Sequence, residues 1–130
     1  ATAGAAPCLG TRVAGADGVA GDYVWQTYAA VNERVRDLGS GLLQLGVRAG
    51  DFVALYSQNR EAWVVAEQAC NAYSMVSVPL YDTLGPEAAE FIINQAEITT
   101  VVCGEDKVDL LAAVSARCPS LRRVIVMDSF

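Results

Sequence analysis

Four short apolar runs, at residues 52–56 (FVALY), 76–80 (VSVPL), 99–103 (TTVVC) and 122–127 (RRVIVM), are separated by stretches whose apolar residues recur every three or four positions. A short apolar run suits a strand buried in a sheet, and a three-to-four spacing suits an amphipathic helix. Repetition of the two argues for parallel strands joined by right-handed helical crossovers. The expected fold class is therefore α/β, with alternating helices and mostly parallel strands.

The helices have readable ends. Tyr28, Val31, Val35, Leu38, Leu42 and Leu45 form one stripe, Thr27 is placed to cap its start, and Gly46 to close it. Gly39 and Gly41 inside this helix each cost about 1 kcal/mol against alanine, a penalty tolerated where a backbone must approach another element closely. Asn59 is expected to cap a second helix over 60–73, apolar almost all round and so buried on two sides. A third helix starts with Pro86 at its first position and takes core contacts from Phe91, Ile92 and Ile93. Residues 104–106 turn into a fourth helix over 108–117, which Cys118-Pro119-Ser120 breaks.

Upstream, residues 1–22 are rich in Ala and Gly and show no helical or strand period, the composition of a loop or linker. A short β-prone run, Tyr23-Val24-Trp25, follows. Residues 23–130 are expected to form a partial α/β subdomain, truncated at the carboxyl end because the chain stops just beyond a strand.

A formal charge of −6 and a pI near 4.4 leave no basic footprint for a phosphate backbone, which argues against nucleic acid as a partner. Four cysteines occur without a CxxC pair and without any histidine, so the usual zinc spacings cannot be assembled. Cys70 and Cys103 lie in apolar runs and read as buried small hydrophobes, which favours a reducing compartment. The aromatic residues fall where helix or strand faces need bulk, and core packing is the expectation for Trp25, Trp63 and the tyrosines. No dinucleotide or Walker A motif, histidine base or Cys/His pair is present, and Glu105, Asp106 and Asp109 suit a helix amino terminus better than a metal site.

Ligands of parallel sheets collect at the carboxyl ends of the strands, which singles out loops 57–60, 81–85 and 104–107. Arg60 at a helix start can meet an anion, and Tyr81, Asp82 and Thr83 can hydrogen-bond a substrate or a neighbouring loop. The competing structural reading makes Asn59 and Thr83 cap or turn residues, and Arg60 and Lys107 solvated charges.

Three ordered blocks carry a family resemblance: YVWQTYAAVNERVRDLGSGLLQLGV (23–47), QNREAWVVAEQACNAYSMVSVPLYDTLGPEA (58–88) and VIVMDSF (124–130). Together they are similar to consecutive amino-terminal stretches of long-chain acyl-CoA synthetases (long-chain fatty-acid–CoA ligases), members of the adenylate-forming superfamily. The resemblance implies part of that superfamily's large amino-terminal domain. It also implies a parent that joins a fatty acid to ATP as an acyl-adenylate and transfers the acyl group to CoA. Magnesium at the phosphates, peripheral membrane association and an intracellular setting, in the cytoplasm or on the cytoplasmic face of an organelle membrane, are implied with it.

The family's phosphate loop, its adenine- and ribose-binding motifs and its late lysine have no counterpart in this sequence, and Lys107 does not match that lysine. No catalytic, cofactor-binding or metal-binding residue therefore carries over, and the segment alone is expected to be inactive and to need the rest of its parent chain. Two other readings fit the length and alternation. One is a free-standing noncatalytic α/β module that binds a ligand or partner. The other is a receiver-like domain, which lacks the required carboxylates at its strand ends.

Overall fold

Chain order is a β-hairpin followed by the alternating unit. The computed structural model describes residues 3–16 and 18–128. Strands β1 (Pro7–Ala14) and β2 (Ala20–Thr27) precede α1 (Tyr28–Gln44), β3 (Phe52–Tyr56), α2 (Glu61–Ala72), β4 (Val76–Leu80), α3 (Pro86–Gln95), β5 (Thr100–Cys103), α4 (Val108–Ser115) and β6 (Arg123–Val126). The last four strands form a wholly parallel sheet in the order β4-β3-β5-β6.

Successive side chains of a strand point to opposite faces, so the two central strands, β3 and β5, each feed two cores. Ala54, Tyr56, Val101 and Cys103 pack with Ala89 and Ile93 of α3 and Leu111 and Val114 of α4. Val53, Leu55 and Val102 pack on the other face with Leu42 of α1 and Ala66 and Cys70 of α2. Each such Val or Leu contributes about 1.5–3 kcal/mol on burial. Cys70 and Cys103 are fully buried, and desolvation pushes both thiols up to about 11, as suits small hydrophobes.

Helix α1 starts where expected: the Ala30 N–H donates to Thr27 Oγ1 at 3.2 Å. Three helices then end alike. Gly46, Ser74 and Glu97 each take a left-handed φ, of 91°, 58° and 49°. In each case the next N–H reaches back to the helix, Val47 to the Leu42 carbonyl, Met75 to Cys70 and Ile98 to Ile93. This closure buries an apolar residue at both ends of the bond. Only the glycine was readable as a terminator, because serine and glutamate adopt this conformation at a steric cost that the apolar contact offsets.

Several expectations need correction. The stretch read as a loop or linker over 1–22 holds β1 and the start of β2, paired antiparallel; residues 1, 2 and 17 of it lie outside the described residues, as do 129 and 130 at the other end. The hairpin is exposed over most of its length, so neither strand needs an alternating apolar pattern. Pairing is reinforced by Arg12, whose Nε and Nη2 donate to the carbonyls of Gly21 and Ala20 at 2.7 and 2.8 Å. Tyr23, Trp25 and Tyr28, expected in a core, stand more than half exposed. Phe91 is exposed as well, because α3 turns Ala89 and Ile93 inward, and residue 91 lies midway between them on the far side. Leu45 likewise falls outside the buried part of the α1 stripe.

Candidate functional site

Parallel strands deliver their following loops to one edge of the sheet, and the side chains there connect to one another. Tyr56, the last residue of β3, is completely buried and its hydroxyl donates to the Leu84 carbonyl in the loop after β4. The Lys107 ammonium lies 5.4 Å from the centre of the Tyr56 ring, donates to the Asp82 carbonyl at 2.9 Å, and pairs with Asp106 at 2.9 Å. The hydrogen bond to Asp106 raises the Lys107 pKa, so the ammonium stays charged; burial raises that of Tyr56, so the phenol stays a donor.

A second tie involves the residue that follows β6 by two. One Asp128 oxygen receives Arg60 Nη2 at 2.6 Å, and the other receives the Glu105 N–H at 2.8 Å. The Arg60 hydrogen bond, aided by the Glu105 N–H, holds the Asp128 carboxyl below its ordinary pKa. Gly104, between the two ties, donates its N–H to the Tyr56 carbonyl at 3.1 Å.

Of the positions singled out in sequence, Arg60 joins the second tie, and Asp82 joins the first through its backbone. Asn59, Tyr81 and Thr83 are exposed at the rim. Asn59 does not cap α2: the N-cap position is Arg60, which makes no side-chain capping bond. Sequence reasoning missed Tyr56, taken as core only, and Asp128, which is 68 residues from its partner.

The AMP-binding enzyme family matches residues 5–130. The chain belongs to that family. Its similarity to relatives is dense but covers only part of them. Over 119 residues it is 46% identical to long chain acyl-CoA synthetase 7, peroxisomal, of Arabidopsis thaliana, across 92% of this chain and 17% of that protein. Over 132 residues it is 44% identical to long-chain-fatty-acid–CoA ligase 6 of Homo sapiens, across 98% of this chain and 18% of that protein. The chain thus spans under a fifth of the length of these relatives. Among solved structures, the A-PCP didomain of carboxylic acid reductase from Segniliparus rugosus, in complex with AMP, superposes with a TM-score of 0.81. At 21% identity, over 94% of this chain and 19% of that one, it shows the shared α/β fold.

The resemblance implies ATP, yet the residues present do not fit a triphosphate or its magnesium. Arg60 and Lys107, the cations of this edge, are each held by a carboxylate, and the Glu105 N–H is already given to Asp128. Among the described residues no group of three or more His, Cys, Asp or Glu is placed to hold a metal ion. The arrangement fixes four strand-end loops in register.

This tie has an acid limit. A depressed carboxyl pKa means that Asp128 adds stability in full above its ordinary value of 3.8, and that this is lost as pH falls through the lower folded value. The pair is partly exposed, so its worth is under about 1 kcal/mol. An NMR titration of the Asp128 carboxyl is expected to show a midpoint below 3.8, moving upward in Arg60→Ala; an unshifted midpoint in both proteins contradicts the tie.

Proposed function

We propose that this chain is the front α/β segment of a ligase that activates long-chain fatty acids. In that reaction the carboxylate attacks the α-phosphorus of ATP and releases pyrophosphate, and the CoA thiol then displaces AMP from the acyl carbon. The observation that carries the reading is 46% identity sustained over 92% of the chain to a long chain acyl-CoA synthetase. The segment's part is scaffolding, since its strand-end cations are spent on its own carboxylates. Residues 1–130 by themselves are inactive on this reading.

The test is fatty-acid-dependent ATP–pyrophosphate exchange, measured on the full-length parent and on residues 1–130. Exchange is expected from the parent with long-chain acids, and none from the segment. A parent inert toward every fatty acid offered sinks the ligase reading, and exchange by the segment sinks the scaffold role.

A further inference from the structure

The β1–β2 hairpin is a two-stranded sheet of its own, outside the parallel one. Two paired strands are marginal by themselves, so the anchors of this ribbon decide whether it stays down. At every described position from 11 to 25 its residues are exposed. Its apolar hold is confined to the base, where Cys8 and Leu9 pack against Val31 and Val35 of α1 and Val65 and Ala69 of α2.

The polar hold converges on one carboxylate. Glu61, in the first turn of α2, accepts from Thr11 Oγ1 of β1 at 3.1 Å and from the side-chain amide of Gln26 in β2. It also pairs with Arg34 of α1 at 3.0 Å, and the same Arg34 nitrogen donates to Gln26 Oε1 at 2.7 Å. Both strands and both helices therefore meet at Glu61. Three donors point at it, one of them cationic, which a carboxylate satisfies and an amide does not.

We infer that Glu61 is the latch of this hairpin, and that the hairpin is a strap that lifts off α1 and α2 while the parallel sheet stays closed. Proteins open in contiguous units, and those with few buried contacts open most readily. Strand β5 is buried at all four positions and β3 at four of five, whereas the strap is held by its base and by one carboxylate. The Arg34–Glu61 pair joins α1 to α2 without the strap, so the helices keep their own tie when it lifts. Nothing in this depends on the reaction of the parent protein.

Cys8 reports the lift. It is half-buried at the base of the strap, while Cys70, Cys103 and Cys118 are buried in the body of the fold. The test is alkylation by iodoacetamide of the folded full-length parent, with each of these cysteines read by peptide mass spectrometry. Two variants are compared with the parent. Glu61→Gln removes the charge. Thr11→Val combined with Gln26→Met removes the donors of the strap and leaves the Arg34–Glu61 pair and the acidic first turn of α2 in place. In both, Cys8 is expected to react about tenfold faster or more, the effect of losing a hydrogen bond to a charged group, with the three buried cysteines no faster than before. Equal acceleration of all four cysteines overturns the inference, because the opening is then global. Acceleration in Glu61→Gln alone also overturns it, and makes Glu61 a clamp between α1 and α2. An unchanged Cys8 rate in both variants means that the apolar base holds the hairpin and that there is no latch.

Discussion

Replacing Gly39 by alanine is expected to destabilise the fold by about 1–3 kcal/mol through overpacking, while the same change at Gly41 is expected to stabilise it by about 0.5–1 kcal/mol through helix propensity. The two glycines lie two residues apart in α1 and face opposite surroundings. A Cβ on Gly39 would overlap the Tyr73 ring, whereas one on Gly41 meets nothing within 4 Å. Tyr73 cannot simply swing aside, because its ring packs against the core between α1 and the sheet, and its hydroxyl donates to the Arg36 carbonyl at 3.1 Å. Thermal or urea unfolding of the two variants should therefore give shifts of opposite sign. Adding Tyr73→Ala to Gly39→Ala should remove most of the steric part, a coupling measured by a double-mutant cycle. Shifts of the same sign, or additivity of the Gly39 and Tyr73 changes, contradict the close packing of α1 on α2.

That contrast also marks how far the sequence could be read. A helical stripe with two glycines announces close approach without saying which glycine is approached; Tyr73 answers that, and it lies at the C-cap of another helix, α2. The strands were the most legible part. FVALY and VSVPL define β3 and β4 to the residue: the central strand β3 is covered on both faces and so reads as an unbroken apolar run, while the edge strand β4 is less buried and keeps Val76, Val78 and Leu80 around Ser77 and Pro79. The hairpin was illegible for the opposite reason: with Tyr23, Val24 and Trp25 all more than half exposed, solvent imposes no alternation on it. The candidate site was half legible. Parallel topology alone brings loops 57–60, 81–85 and 104–107 to one edge, but the ties between them depend on strand register. Cys103 pairs with both Tyr56 and Val126, and that register sets Arg60 beside Asp128 across 68 residues of chain. Nothing local in either residue's neighbourhood encodes the partner.

Tyr56 is where the core and the strand-end loops meet, and its substitutions should separate the two roles. Tyr56→Ala removes the largest fully buried side chain and is expected to cost about 3–5 kcal/mol, the range for deleting a buried aromatic. Tyr56→Phe keeps the ring, and so the packing against Ala54, Leu80 and Ile93 and the face beneath the Lys107 ammonium, but deletes the donor to the Leu84 carbonyl. Loss of that bond is expected to cost about 1–3 kcal/mol, since the carbonyl is left without its donor. Hydrogen exchange should then quicken in 81–85 and leave β3 protected, because only the loop tether has gone. Alkaline unfolding gives an independent check. The folded phenol pKa is raised above 10.0, so the proton it holds stabilises the fold fully below 10.0, and this is lost as pH rises through the folded value. Tyr56→Phe should flatten that alkaline loss as well as lower the plateau. An equal loss of stability at every pH, with exchange faster in β3 than in 81–85, would place Tyr56 in the core alone and remove it from the edge network.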